Sequence, residues 1–266
     1  MASAHGTALS GSPDTFPVPA DPPRPGPGSR ARDWAEIQER TLVPLYEAVH
    51  ERLAVGPATR LLGLGCRSGL ALLLAAARGA RVTGQEADPQ LRELARARGL
   101  AVAAGPGTTR TAHAVVTLFE PQRLGPDPDR AVRAALRQVR PGGVLVLAGL
   151  AAAEDGPVQA VLRVARHGGG RRPADPLDPA GAPGALAAAA GLRTLGRGRV
   201  DCPFGYPDLA GAVRGLLATG WFDAAAGYAG ERPVAKELAE ALHPLARPDG
   251  SVWLPVTAEY LLAVRA

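Results

Sequence analysis

Short apolar runs alternate with helix-like segments through the middle of the chain. Strands are predicted at 59–64, 80–86, 101–104, 113–119 and 143–150. Helices are predicted between them at 68–78, 89–98 and 128–139. Because such alternation requires right-handed crossovers, it predicts an α/β fold with a doubly wound, mostly parallel sheet. Ligands of such sheets bind at the carboxyl ends of the strands.

Helical spacing continues on both sides of this unit. Apolar residues recur with the helical period from Arg32 to Leu53, and Pro44 divides that segment. Further helices are predicted at 158–166, 185–192, 208–218, 224–228 and 233–245. Strands are predicted at 193–202 and 252–264, where Pro255 restricts the second to an edge or a bulge. We therefore expect one domain at 33–266, in which 203–248 form a helical insertion before the last strand.

Residues 1–32 differ from the rest in being rich in proline, serine, glycine and alanine. This composition buries too little apolar surface to offset the entropy of ordering, so a disordered leader is predicted. The segment has no basic start followed by an apolar core, which argues against a secretory signal. The chain has no uninterrupted apolar run of about 18 residues, so we expect no membrane span.

The charge balance does not indicate a nucleic-acid partner. The net charge is +5, but Lys236 is the single lysine among 30 basic residues, and alanine, glycine, proline and arginine are abundant throughout. This pattern fits GC-rich codon usage, and no basic run with interleaved aromatic residues occurs. The two cysteines, Cys66 and Cys202, are too few for a disulfide framework or a metal cluster. A reducing, cytoplasmic location without a bound metal is therefore expected.

Residues 60–69, with the sequence RLLGLGCRSG, predict a strand that ends in a glycine turn at the start of a helix. Gly65 and Gly69 let a ligand approach the backbone, whose N–H groups face a carboxylate or phosphate. The next predicted strand ends in Glu86, 21 residues after Gly65. An acid about 20 residues after such a turn accepts the hydroxyls of a ribose. The glycine spacing alone is weak evidence in a chain with 33 glycines, but with Glu86 it indicates a nucleoside-containing cofactor.

The sequence RPGG at 140–143 precedes the apolar run 144–147 and predicts that Pro141 ends a helix before the glycines turn the chain into a strand. Together these segments resemble the class I S-adenosylmethionine-dependent methyltransferases. The resemblance extends through DWAEIQ at 33–38, YPDL at 206–209, PDGS at 248–251 and EYLL at 259–262. It points to the small-molecule, ubiquinone/menaquinone-biosynthesis-like branch. It implies a seven-stranded Rossmann-like methyltransferase fold, S-adenosylmethionine as cofactor, and an insertion that forms a substrate lid.

The resemblance also assigns candidate cofactor-binding residues. They are Gly63, Gly65, Cys66, Arg67, Gly69, Glu86, Ala87 and Thr117. The turn would hold the methionine portion, with Ser68 capping the helix, and Glu86 would accept the ribose hydroxyls. Two positions depart from the family pattern: Gly63 replaces an acid, and Arg67 replaces a glycine. The segment 103–112 also lacks the acid that contacts adenine in the family. We expect Arg67 either to project near the cofactor cleft or to make the turn adjust.

The family has no universal catalytic residue, because a general base is needed only if the proton of the acceptor leaves early. Glu120 follows the fourth strand and is the candidate base; the alternative is an ordinary charged loop residue. The insertion holds much of the aromatic content. Its candidate substrate residues are Phe204, Tyr206, Trp221 and Tyr228. They predict an apolar pocket for a small-molecule acceptor, although simple packing of the insertion onto the sheet explains them equally well.

Three functions fit these observations. The first is methyl transfer to a small, partly apolar acceptor, with Arg67 pairing with the carboxylate of the cofactor. The second is an inactive methyltransferase-like protein that binds or regulates a protein partner. The third is a nicotinamide-dependent oxidoreductase, which shares the logic of the glycine turn but leaves the RPGG segment and the C-terminal matches unexplained. Each is compatible with a homo-oligomer.

Overall fold

Helices and strands alternate along the computed structural model, which describes residues 29–105, 113–120, 127–151, 156–166 and 182–265. The α-helices are α1 (Ser29–Asp33), α2 (Val43–Arg52), α3 (Leu70–Ala77), α4 (Pro89–Ala97), α5 (Pro128–Leu136), α6 (Pro157–Ala165), α7 (Pro183–Ala189), α8 (Leu209–Thr219), α9 (Asp223–Ala229) and α10 (Glu231–Leu242). The strands are β1 (Arg60–Leu64), β2 (Arg81–Gln85), β3 (Val102–Ala103), β4 (His113–Phe119), β5 (Val139–Leu150), β6 (Leu192–Asp201), β7 (Phe204–Tyr206), β8 (Val252–Leu254) and β9 (Thr257–Arg265). A π-helical turn (Trp34–Gln38) and a 3-10 turn (Glu39–Leu42) join α1 to α2.

Seven strands form one sheet in the order β3-β2-β1-β4-β5-β9-β6. The strands from β1 to β5 pair in parallel, whereas β9 runs antiparallel to both β5 and β6. The doubly wound, mostly parallel seven-stranded sheet predicted from the sequence is confirmed. Because the strand order reverses between β1 and β4, the crevice for a ligand lies at the carboxyl ends of these two strands.

The sheet is covered by helices on both faces, which explains why its central strands are apolar almost throughout. In β4, Val115 belongs to the core formed with α2 and α3, and its neighbour Val116 belongs to the core formed with α5 and α7. Successive residues of a strand point to opposite faces, so both must be apolar in a sheet that is covered twice.

A third apolar core lies beyond the carboxyl edge of the sheet. It joins α1, the π-helical turn and α6 to the segment 204–254, which we call the lid. The lid contains α8, α9 and α10 together with a separate two-stranded sheet of β7 and β8. Phe204 and Phe222 are among its fully buried side chains. This core therefore packs the lid against Leu150 of β5 and the helices beside it, and the crevice of the main sheet faces the lid.

The RPGG segment differs from its prediction. Helix α5 already ends at Leu136, and β5 begins at Val139, so 140–143 lie within a strand rather than in a turn after a helix. The pairing of β4 with β5 jumps from His113↔Val139 to Val115↔Val144, which makes the segment a bulge. A bulge tolerates proline because the ladder is interrupted there. The prediction that Pro141 ends a helix was wrong.

Two further boundaries differ. The predicted strand at 252–264 consists of β8 and β9, which belong to different sheets and are separated at Pro255. Proline has no N–H for a ladder, so the pairing changes at that residue. Helix α1 begins at Ser29, inside the predicted leader, whereas 1–28 lie outside the described residues. Among the helices of the described ranges, none is long and apolar enough to cross a membrane.

Candidate functional site

The turn between β1 and α3 has the left-handed backbone that its glycines predict. Gly65 has φ of 61° and Gly69 has φ of 87°. A Cβ atom at Gly69 would lie 2.3 Å from the terminal methyl of Leu100 and would have to displace it, and the positive φ favours glycine there in any case. Arg67 also has a positive φ, 52°, although it is not glycine. The turn therefore keeps the conformation of a glycine at position 67 and adds a long cationic side chain to it.

Carboxylates of the protein itself bind the N–H groups of this turn. The two oxygens of Glu86 accept hydrogen bonds from the N–H of Arg67 at 2.8 Å and from the N–H of Asp88 at 2.9 Å. Oε1 of Glu39 accepts from the N–H of Leu70 in the first turn of α3 at 3.1 Å. Helix α3 starts after Gly69, and the predicted cap by the Ser68 side chain is not formed. Internal carboxylates thus stabilise the amino end of α3.

The side chain of Arg67 reaches across the crevice to the lid. Its guanidinium carbon lies 3.6 Å from the ring centroid of Trp34. Its nitrogens donate to the carbonyl oxygens of Thr219 at 2.8 Å and Ala218 at 3.5 Å, at the carboxyl end of α8. Nη2 also lies 3.6 Å from Oε2 of Glu120. The prediction that Arg67 projects toward the cleft is therefore met, and its side chain is only 11% exposed.

Glu120 lies in the crevice as the sequence predicted for a residue that follows β4. Its side chain is 12% exposed. Oε1 accepts a hydrogen bond from the indole N–H of Trp221 at 2.9 Å, while Oε2 faces Arg67. Its backbone also has a positive φ, 55°. Glu120 is therefore a nearly buried carboxylate, fixed by Trp221 and Arg67, rather than an ordinary loop residue.

Two small cavities and one groove surround these residues. The first cavity lies beside the glycine turn and the second beside the aromatic residues of the lid, and each measures about 20 Å³. A space of this size holds about one water molecule. Trp34, Phe119 and Glu120 line both cavities, so the two adjoin. The groove, about 440 Å³, runs past Gly65 and Glu86 at the carboxyl ends of β1 to β3.

The remaining cofactor candidates lie at the crevice, but two are constrained by packing. Gly63 lines the first cavity, yet a Cβ atom added there would lie 3.1 Å from Leu72. Cys66 packs against β2, and burial raises the pKa of its thiol to about 12. Thr117 lines the same cavity and donates to the carbonyl of Leu62 at 3.4 Å. Ala87 lines the groove beside Glu86.

The aromatic candidates of the lid separate into three groups. Phe204 and Trp221 line the second cavity, with stacked rings 6.2 Å apart. Tyr206 is buried, and its hydroxyl donates a hydrogen bond to the side chain of Gln38 at 2.7 Å. This buried contact joins the lid to the π-helical turn. Tyr228 is 72% exposed. The structure therefore does not bring Tyr228 into the pocket, because its position on the short helix α9 faces solvent.

Sequence reasoning missed Glu39 and Gln38, which come from the helical segment before the sheet. Glu39 is buried and pairs with Arg98 at 2.8 Å in addition to capping α3. Helical periodicity placed this segment near the sheet but could not show that these polar side chains point inward. The signal available was the pair of polar residues on the face that also carries Trp34 and Leu42.

Neither a protein-family model nor a curated protein sequence matches this chain. Solved structures match it at low sequence identity. An S-adenosylmethionine-dependent methyltransferase from Geobacter sulfurreducens, in complex with S-adenosyl-L-homocysteine, has a TM-score of 0.54 and 17% identity over 86% of this chain and 92% of that chain. Another from Thiobacillus denitrificans, in the same complex, has a TM-score of 0.52 and 14% identity over 86% of this chain and 92% of that chain.

The [4+2]-cyclase SpnF is also similar, with a TM-score of 0.50 and 21% identity over 83% of this chain and 80% of that chain. Solved structures of one architecture thus include methyltransferases and a cyclase, so the fold alone leaves the reaction open. This chain has the Rossmann-like fold of the class I S-adenosylmethionine-dependent methyltransferases.

Proposed function

We propose that this protein transfers a methyl group from S-adenosylmethionine to a small, partly apolar acceptor. The observation that carries the proposal is the buried carboxylate of Glu86 beside the groove at the carboxyl ends of β1 to β3. The volume of the groove, about 440 Å³, suits a ligand of nucleoside size. Each oxygen of Glu86 accepts one backbone N–H and keeps a second lone pair for a ribose hydroxyl.

The two ends of the cofactor meet different conditions. The adenosine end fits the groove along Gly65, Glu86 and Ala87. The methionine end would lie beside Gly65 and Thr117, where the guanidinium of Arg67 leaves a cavity of only about 20 Å³. This end therefore fits once the Arg67 side chain has moved. When bound, the cofactor supplies an electrophilic methyl group on a sulfonium.

The acceptor would lie beneath the lid, where the adjoining cavity of about 20 Å³ has to widen to admit it. Phe204 and Trp221 give it apolar walls, and Glu120 gives it a carboxylate. These walls favour a small molecule, in keeping with the ubiquinone/menaquinone-biosynthesis-like branch. The hydrogen bond from Trp221 fixes Glu120, which accepts the proton that the attacking atom loses. Such a base contributes roughly 10²- to 10⁴-fold, while orientation of the reactants contributes up to about 7–11 kcal/mol in favourable cases.

Titration of the full chain with S-adenosylhomocysteine tests the cofactor site. We expect a dissociation constant on the order of micromolar, weakened about tenfold or more in Glu86→Gln, which keeps the shape of the side chain but loses its charge. The control is Glu93→Ala, an exposed acid on α4. Formation of S-adenosylhomocysteine from S-adenosylmethionine with small phenols, amines or thiols then identifies the acceptor. Methylation of macromolecules alone would contradict the assignment of the acceptor.

A cofactor-free binding or regulatory protein is the second candidate. The observation that favours it is the position of Arg67: its guanidinium fills the methionine end of the cofactor cleft and is already bound by Trp34, Thr219 and Glu120 of the protein itself. This candidate predicts that the wild type does not bind S-adenosylhomocysteine, and restoration of binding by Arg67→Gly would agree with it. Binding by the wild type contradicts it.

A further inference from the structure

We infer that Arg67 is a gate: its side chain holds the methionine end of the cofactor cleft closed, and loading requires the guanidinium to leave its present position. The inference rests on the proposed function, because it concerns how the same site is filled. Arg67 stands at the centre of the glycine turn, with its side chain directed away from the sheet and into the crevice.

The position of the guanidinium is built for a cation. Trp34 offers the face of its indole ring at 3.6 Å, and the carboxyl end of α8 offers the carbonyl oxygens of Ala218 and Thr219. Glu120 adds a carboxylate at 3.6 Å. An aromatic face, a helix carboxyl end and a carboxylate each attract positive charge, most strongly where water is excluded. Three separate parts of the fold thus converge on one side chain.

The backbone supports the same conclusion. Among the described non-glycine residues, Ala54, Arg67 and Glu120 have positive φ, and two of these three face each other across the crevice. Left-handed backbone at a residue with a side chain is unfavourable and persists where the surroundings enforce it. Here both strained residues direct their charged groups at each other. These backbone conformations therefore direct both charged side chains to the contact that closes the cleft.

Closure lowers the apparent affinity for the cofactor. With Arg67 in place, the cavity beside the turn has room for about one water molecule, which is too little for an amino-acid group. The ligand binds only the fraction of molecules in which Arg67 has moved, and its apparent dissociation constant rises by the inverse of that fraction. Removing the side chain abolishes this effect. Glycine also suits the left-handed backbone at position 67, so Arg67→Gly is expected to fold.

The first experiment measures, without any ligand, whether the guanidinium of Arg67 covers Trp34. Acrylamide quenching of tryptophan fluorescence is compared between the wild type and Arg67→Gly, and each is repeated with Trp34→Phe so that the contribution of Trp34 is obtained by difference. We expect Trp34 to be quenched more strongly in Arg67→Gly, because the guanidinium no longer covers its ring. Arg214→Ala, which removes a mostly exposed arginine from α8, is the matched control. Unchanged quenching of Trp34 overturns the inference.

The second experiment measures loading. We expect Arg67→Gly to bind S-adenosylhomocysteine about tenfold more tightly than the wild type or better, a change of about 1.4 kcal/mol. Glu120→Gln weakens the contact that holds Arg67 in place but leaves the glycine turn intact, so it should tighten binding by less than Arg67→Gly does. Arg214→Ala should not change the binding. If the wild type binds and Arg67→Gly binds no more tightly, the gate is refuted and the proposed function stands. If neither protein binds, the proposed function itself fails.

Discussion

At the scale of single residues, the buried charges of the crevice are satisfied by main-chain groups of the same protein. Glu86 and Glu39 accept from backbone N–H groups of the glycine turn and α3, and Arg67 donates to carbonyls of α8. Such contacts fix each charged side chain in one place, because an unmade hydrogen bond at a buried group is costly. The charged side chains of the crevice are therefore held in fixed positions, but in this conformation they bind groups of the protein itself.

His50 makes the free energy of unfolding depend on pH through one buried side chain. It is fully buried on α2, and burial lowers the pKa of its imidazole from 6.5 to about 4; the charge of Arg78 acts in the same direction and that of Glu47 opposes it. Between pH 6.5 and about 4 the unfolded chain binds a proton that the folded chain does not. The free energy of unfolding therefore falls as the pH drops through this window, by roughly 3 kcal/mol in full.

Urea unfolding as a function of pH measures this effect. Other groups also titrate in the window, so the comparison with a variant isolates His50. We expect His50→Phe to show a shallower loss of stability toward acid than the wild type, since the buried ring no longer takes part in proton binding. His243→Gln, at an exposed position, should keep the slope of the wild type. Parallel curves for His50→Phe and the wild type would contradict the assignment.

At the scale of elements, periodicity predicted the order of the helices and of the strands of the main sheet, because each central strand needs apolar side chains toward two covered faces. It did not predict β7, which lies in the segment predicted to be a helical insertion. It did not predict the bulge at 140–143 or the separation of β8 from β9, since both depend on the partner strand rather than on local sequence. For the candidate site, the carboxyl ends of the strands indicated Glu86 and Glu120; both lie at the crevice, and their roles there stay predictions. Glu39 was not predicted, because a helix face alone does not show which polar residue turns inward.

The amino end of α3 depends on a carboxylate from another element. Glu39, buried before α2, accepts from the N–H of Leu70 and pairs with Arg98 at 2.8 Å. We expect Glu39→Gln to lower the free energy of unfolding by roughly 2–4 kcal/mol, because it leaves a partly buried guanidinium without its counter-ion. Chemical denaturation measures the change. As a control, Lys236→Ala breaks an exposed pair with Glu240 and should cost no more than about 0.5 kcal/mol; equal losses in the two variants would refute the role of Glu39.

The bulge of β5 requires glycine at one position for reasons of space. A Cβ atom at Gly143 would lie 2.9 Å from the carbonyl oxygen of Ala114 and 3.0 Å from that of Arg140, both of them backbone atoms that cannot rotate away. We expect Gly143→Ala to destabilise the protein by roughly 1–3 kcal/mol in thermal or urea unfolding. Gly149→Ala, in the same strand with open space around it, is the control. A Gly143→Ala protein as stable as this control would mean that the bulge adjusts freely.

At the scale of the whole molecule, the apolar core of the lid also includes Tyr46, Leu91 and Leu150 of the sheet domain, and charged or polar contacts add to this junction across the crevice. Arg67 binds the carboxyl end of α8, and Glu120 binds Trp221. The two cavities between the sheet and the lid measure only about 20 Å³ each, so the two parts are closely packed there. Opening the crevice therefore requires exchanging the hydrogen bonds of Arg67 and Glu120 and also separating apolar contacts of this shared core.

Hydrogen exchange followed by mass spectrometry tests the contribution of Arg67 to this junction. We expect Arg67→Gly to speed exchange in peptides covering α8 and the turn to Trp221, because the guanidinium no longer ties the carbonyls of Ala218 and Thr219 to the sheet. Peptides of the central strands β1 and β4 should keep the protection of the wild type, since their cores lie on the two faces of the sheet. Arg214→Ala alters the same helix on its outer side, where Arg214 lies 3.7 Å from Asp33, and should leave exchange of the turn unchanged. Faster exchange throughout the sheet in Arg67→Gly would instead mean that Arg67 supports the whole fold, and that lid and sheet open as one unit.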